Sequence, residues 1–238
     1  MGAVLLLCSA AGAEGRCPFE IKLLLSPPEL HTVIASLGFR QPTVGQIYFF
    51  DTDAIDLQKQ GLIVRVRAAK DLTLKVRVPE GDNKIDTSRL REQFPCEIDR
   101  TGAGVSTSYA TRIRYKPPQA PAMGADIFRL LSPAQTTLLR EARISIDWAR
   151  VIRIASIQST NWETTPQPPF GKLVLELWKT PAGDILELSA KVGPDAGQSK
   201  YEELKRLVSK YNLTLSPRQG TKTSIVLEML THPAPPPL

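Results

Sequence analysis

The sequence predicts an α+β fold: an antiparallel, eight-stranded, tunnel-like β-barrel with helices around it. Three observations lead there. Short segments alternate charged and apolar residues with a period of two, as in Phe19-Glu20-Ile21-Lys22-Leu23, Leu62-Ile63-Val64-Arg65-Val66-Arg67, Leu72-Thr73-Leu74-Lys75-Val76-Arg77 and Cys96-Glu97-Ile98-Asp99. A strand sends alternate side chains to opposite faces, so Glu20/Lys22, Arg65/Arg67, Lys75/Arg77 and Glu97/Asp99 each share one. Turn residues separate about eight such segments, and only a few stretches carry the helical period. The apolar faces (Ile21, Leu23, Leu25; Val64, Val66; Leu74, Val76; Leu173, Leu175, Leu177) would then point outward under the helices. The charged faces would line a hydrated lumen and converge on a polyanion and a metal ion.

Composition sets the bounds. The chain has 238 residues, 42% hydrophobic but only 6% aromatic, so Leu, Ile and Val carry the core. A formal charge of +6 suits an anionic ligand without demanding one. No apolar run reaches the roughly 18–20 residues of a membrane-spanning helix. Residues 1–13 read as an export signal: Ala3 to Cys8 is apolar, and Ala11-Gly12-Ala13 has the small-x-small form of a cleavage site. That reading places the protein outside the cell or in a periplasm; the alternative is a frayed start of a cytoplasmic protein. Cleavage would leave Cys17 and Cys96, which either form a disulfide stapling two charged strands or stay as buried thiols.

Along the chain, residues 17–25 form the first strand. Ser26-Pro27-Pro28 opens a helix whose apolar face is Leu30, Val33, Ile34 and Leu37, and Gly38 ends it. Residues 44–51 form a strand, and Gly61 closes the connection after it. Residues 62–69 and 72–78 make a hairpin turning at Ala69-Lys70-Asp71. Residues 79–91 read as a polar loop, with or without one helical turn, and lead to a strand over 93–100. Residues 101–125, rich in Gly, Ser, Thr and Pro, read as a surface crossover or a short helix. Two helices follow, over 126–131 and 133–139, with Ser132 as a cap. Residues 140–147 and 150–157 read as a hairpin, 158–171 as a loop, and 172–179 and 184–192 as the last hairpin. An amphipathic helix covers 201–211, and 221–230 is a final helix or strand. Residues 14–230 thus read as one domain, and 231–238 as a disordered proline-rich tail.

These motifs, in this order, resemble the CYTH superfamily, the triphosphate tunnel metalloenzymes, over about residues 18–192. That family opens on Glu-x-Glu-x-Lys, matched by Pro18-Phe19-Glu20-Ile21-Lys22; a Tyr-Phe-Asp-Thr strand end is matched by Tyr48 to Thr52. The Arg-x-Arg strand, the Lys strand and the acidic strand follow at Arg65/Arg67, Lys75/Arg77 and Glu97/Asp99. A basic strand at Arg140 to Arg143 and a late acidic strand at Leu186 to Lys191 complete the pattern. The resemblance implies a triphosphate or polyphosphate ligand held by Lys22, Arg65, Arg67, Lys75, Arg77, Arg143 and Lys191. It implies Mg²⁺ or Mn²⁺ on Glu97, Asp99 and Glu187, with Glu20 and Glu97 as catalytic carboxylates of a phosphohydrolase. DNA is not an expected partner: Trp148, Trp162 and Trp178 read as packing groups. Two departures count against catalysis, since Pro18 and Ser189 stand where that family has metal-binding carboxylates. The other reading is a non-catalytic polyanion-binding or structural barrel. For Arg65/Arg67 and Lys75/Arg77 it would be the solvated face of an ordinary hairpin.

Overall fold

The structure, a computed structural model, describes residues 16–180 and 183–231. Nine strands close into one barrel: β1 (Phe19–Leu25), β2 (Thr43–Asp51), β3 (Leu62–Arg67), β4 (Asp71–Pro79), β5 (Cys96–Thr101), β6 (Gly104–Arg114), β7 (Ile152–Glu163), β8 (Leu173–Thr180) and β9 (Gly183–Val192). Their order around the barrel is β1-β5-β6-β4-β3-β2-β7-β8-β9, closed by β9 against β1. Eight of the nine neighbouring pairs are antiparallel, as expected; β1 and β5 run parallel.

The tunnel-like barrel expected from the sequence is there, with one strand more than expected and three segments that differ from the sequence reading. Residues 104–114 form β6, a full wall strand, where a crossover or helix was expected. Its Ser106 and Ser108 face partners on both sides, Pro79 and Arg77 of β4 and Asp99 and Glu97 of β5. Small polar side chains are what a wall needs where charged neighbours fill the lumen, and they erase the hydrophobic alternation that marks a strand. β7 likewise runs on to Glu163 through the polar Gln158 to Asn161, which had read as a loop. Residues 140–147, expected as a strand, are not one. The helix before them runs through Glu141, Arg143 adopts a left-handed φ of 55°, and Ile144 and Ile146 pack on the barrel exterior without a strand neighbour.

Helices cover the outside in two groups. α1 (Leu30–Leu37) and α6 (Gly197–Lys210) lay Val33, Leu37, Tyr201, Leu204 and Val208 over Ile21, Leu23, Leu175 and Leu188. α3 (Thr87–Gln93), α4 (Gly124–Leu130) and α5 (Pro133–Glu141) lay Leu90, Ile127, Leu138 and Leu139 over Val64, Val66, Leu74 and Val76. Each fully buried aliphatic side chain contributes about 1.5–3 kcal/mol, so these layers hold the barrel shape. Ser132 caps α5 in a capping box with Gln135, while Ser26 makes no side-chain cap bond. A short α2 (Asp56–Lys59) ends at Gly61, whose φ is 75°. A Cβ at Gly61 would lie 2.4 Å from the Arg77 carbonyl oxygen, so the turn needs glycine on both counts.

The interior departs from a uniformly hydrated lumen. Leu24, Ile47, Phe49, Ile63, Trp178 and Ile185 point inward at one end and pack on Ile225 and Val226 of the last helix, α7 (Lys222–Thr231). Each inward face therefore changes character along its strand: Lys22 to Leu24, Arg65 to Ile63, Glu176 to Trp178, Glu187 to Ile185. α7 fills the apolar end, and the polar end stays open as a cavity of about 600 Å³. Cys17 and Cys96 form a disulfide, with Cα atoms 5.2 Å apart, that ties the lead-in of β1 to the start of β5. No helix among the described residues is long and apolar enough to cross a membrane. The expected export signal and most of the proline-rich tail lie outside the described residues.

Candidate functional site: a charged lumen

The registers bring the charged pairs together. β3, β4 and β6 lie side by side, with Arg65 opposite Thr73 and Thr73 opposite Arg112; Arg67 lies opposite Asp71, and Asp71 opposite Arg114. Lys75 and Arg77 stand further along the same face of β4 and reach toward β5. Glu20 of β1 pairs in register with Asp99 of β5 and Lys191 of β9. Glu176 and Glu187 are directly opposite each other on β8 and β9.

One cluster surrounds Asp99, the most deeply placed carboxylate. It accepts hydrogen bonds from Lys22, from Lys75 Nζ at 3.0 Å and from Ser108 Oγ at 2.8 Å, with Arg77 3.7 Å away. Lys22 also reaches Glu20 at 2.7 Å, and Lys191 reaches Glu97 at 2.5 Å. Burial alone would raise the Glu20 carboxyl, but Lys22 beside it prevails and holds it at about 2. Asp99 is pulled well below the carboxylate range by Lys22, Lys75 and Arg77, against its burial. Burial works against the charge of Lys22, yet Glu20 and Asp99 drive its affinity for the proton upward; Lys75 is lowered, because burial there wins. Both carboxylates are therefore ionised at neutral pH. Glu20, Glu97 and Asp99 offer oxygens all within 4.8 Å of one another, a spacing that could hold a metal ion.

A second cluster surrounds Lys222, the first residue of α7. It contacts Glu176 and reaches Glu187 Oε1 at 2.8 Å. Glu176 Oε1 also accepts from Ser159 Oγ at 2.6 Å and Trp178 Nε1 at 2.7 Å. Against its burial, Lys222 and these donors lower Glu176 to about 2. Glu187 is pushed up by burial, only partly offset by Lys222 and Lys22. Glu187 thus serves this cluster and not the carboxylate trio to which the sequence reading had joined it.

The basic side differs. Arg67 is held by Asp71. Among the described residues Arg65 makes no ion pair, and its Nε is buried without a hydrogen-bond partner. Burial and the neighbouring Arg67 lower its guanidinium to about 10, which still leaves it charged. Lys22, Arg65, Arg67, Lys75, Arg77, Glu20, Glu97, Glu187 and Lys191 all line the one cavity, Lys191 from its exposed rim. Arg143 does not: it is exposed on the barrel exterior, because the strand expected to carry it inward is a helix end and a left-handed turn. Sequence reasoning missed Lys222. No local signal marks it: Lys222 opens α7 just after Thr221, whose Oγ1 accepts from Ser224 N, but its partners Glu176 and Glu187 lie on β8 and β9.

No known protein family matches the chain by sequence, and no curated protein matches it. Solved structures do. A candidate adenylyl cyclase from Hippeastrum, HpAC1, described as having a dominant triphosphatase activity, superposes with a TM-score of 0.60 at 16% identity, over 88% of this chain and 94% of that one. A candidate adenylate cyclase from Bacillus halodurans gives 0.58 at 16% identity, over 88% and 97%. This chain shares the fold of these two proteins.

Proposed function

We propose that the lumen binds a linear triphosphate or polyphosphate and hydrolyses its terminal phosphoryl group with a divalent metal ion. The observation that carries the binding is Arg65: a charged guanidinium facing the open end of the lumen with no ion-pair partner among the described residues. Leaving such a group unpaired is costly, and a phosphate oxygen satisfies it. Arg67, Lys75 and Arg77 stand along the same wall to take successive phosphates, and Lys191 stands at the rim. The description of the Hippeastrum protein as a triphosphatase supports the ligand class.

The carboxylate trio fits Mg²⁺ or Mn²⁺ by donor type, since Glu20, Glu97 and Asp99 present ionised or close-set oxygens, which hard ions prefer. Such an ion would polarise the terminal phosphoryl group. Within the chain, Glu20 at about 2 is a poor base and a good hydrogen-bond acceptor, so its role is to orient the attacking water. Glu97, released from Lys191 when that lysine turns to phosphate, is the second catalytic carboxylate. The Cys17–Cys96 bond supports an oxidising, secreted or periplasmic setting rather than the cytoplasm.

One observation favours a second reading, binding without turnover. Lys22 and Lys75 already occupy the oxygens a metal would use, and Pro18 and Ser189 supply none. The deciding experiment is phosphate release from tripolyphosphate with Mg²⁺ or Mn²⁺, beside thermal-shift binding. Release that disappears in Glu97→Ala establishes the hydrolase. Stabilisation without release leaves a binding protein, and neither response removes both.

A further inference from the structure

A second cavity, of about 500 Å³, lies on the outside of the barrel at the end filled by α7. Its walls are Leu62, Ile63, Pro79, Ile85, Ala142 and Ile144, contributed by β3, the end of β4, the loop before α3 and the turn after α5. Four cations stand in its lining, the half-buried Arg77 and the exposed Lys59, Lys84 and Arg143, against one carboxylate, Asp82. Among the described residues none of the three exposed cations forms an ion pair, whereas Arg89 and Arg140 both pair with Glu141. Arg143 is brought there by its left-handed backbone, a conformation that costs about 1–2 kcal/mol outside glycine.

Apolar walls with a few charges of one sign are the makings of a small-ligand pocket, and the volume lies within the usual range. A surface built only for solubility would not wall a concavity of this size with aliphatic side chains. We propose that this outer cavity binds a small organic anion: a flat apolar ring against Ile85 and Ile144, with a phosphate or similar group on Lys59, Lys84 and Arg143. It is separate from the lumen, though Ile63, Arg77 and Thr223 line both. Arg77 spans the shared wall, donating to Thr221 Oγ1 at 2.9 Å on the lumen side. An occupant of either cavity therefore touches the partition, and any effect on the other's affinity is reciprocal.

The test is calorimetric titration of the full chain with naphthyl phosphate, adenosine monophosphate and inorganic phosphate, each repeated with the lumen saturated by tripolyphosphate. At least one ring-bearing probe should bind saturably, tighter than inorganic phosphate, and should still bind with tripolyphosphate present. Ile85→Trp, which fills the cavity from a loop, should weaken it more than about tenfold, and a Lys84→Glu/Arg143→Glu double variant about as much (each tenfold being 1.4 kcal/mol). Ile144→Trp repeats the filling from another wall should Ile85→Trp fail to fold. Arg65→Ala should leave probe binding unchanged while weakening tripolyphosphate, so failure in the lumen and failure here are read separately. The proposal falls if neither probe binds in the millimolar range, if inorganic phosphate binds as well, or if tripolyphosphate displaces the probe.

Discussion

The two sides of the lumen follow one alternation rule and reach different electrostatic states. On β1, β5, β8 and β9 the carboxylates are already matched: Glu20 and Asp99 by Lys22, Glu97 by Lys191, Glu176 and Glu187 by Lys222. On β3, Arg67 has Asp71, but Arg65 has no ion-pair partner among the described residues. The number of charges on a wall therefore does not set what it will bind; the member left out of the network does. An anion that meets Arg65 displaces no carboxylate from it, whereas a metal ion on the acidic side would have to move Lys22 and Lys75 aside.

Breaking the matched side should have the largest effect. Lys222→Ala leaves Glu176 and Glu187 facing each other across β8 and β9 without their cation, and should cost about 3–5 kcal/mol, the usual penalty for halving a buried pair. Urea denaturation measures it, and an unchanged midpoint would mean the acidic side is not locked from within. Arg65→Ala should do the reverse: tripolyphosphate affinity falls about 30-fold, or about 2 kcal/mol for a lost charge-assisted contact, while the melting temperature holds or rises. A large drop in stability instead would show that Arg65 has a structural partner. Ser189→Glu, opposite Lys22 on β9, tests the acidic side by addition. One more carboxylate should raise Mn²⁺ affinity about tenfold, read by paramagnetic resonance, because charge count tunes such sites.

The smallest effect is the pH profile. Glu20 and Glu176 sit at about 2 instead of 4.5, so the folded state binds its protons less readily than the unfolded chain. Their contribution is complete above about 4.5 and is lost as pH falls toward 2; the raised Glu187 acts in the other window, above 4.5, where its protonation on acidification favours the folded state. Melting temperature should decline as pH falls below 4.5. A rise on acidification between 4.5 and 2 would contradict the ionised network.

The sequence was legible wherever inward charge alternated with outward aliphatics. Glu20/Lys22, Arg65/Arg67, Lys75/Arg77 and Glu97/Asp99 all face the lumen as the period of two requires. It was illegible where both faces are polar or where alternation has no strand neighbour. β6 and the second half of β7 face the interior with Ser108, Ser159 and Asn161 and carry Thr107, Thr111 and Thr160 on the other face, so both faces look like loop. Arg143-Ile144-Ser145-Ile146 looks like strand and is a helix exit. Lys222 escaped because pairing with β8 and β9 comes from how α7 enters the barrel, a tertiary fact that no local pattern of residues 221–230 encodes.

The parallel contact of β1 with β5 has a consequence for the order of assembly. β1 is the first strand among the described residues, yet it is the stave between β5 and β9, and it pairs with β9 over seven residues from Phe19–Val192 to Leu25–Leu186. During synthesis it can lay itself along β5 early, where the Cys17–Cys96 bond can hold it, but its other edge stays open until residue 192 has emerged. Loop closure over such a separation is slow, so the ring seals late, and α7 arrives later still with Lys222. Until then the carboxylates of β8 and β9 remain in water. The Glu176–Glu187–Lys222 cluster is thus the last part of the charged interior to form, and a chain shortened before Lys222 would close its barrel with those two carboxylates uncompensated.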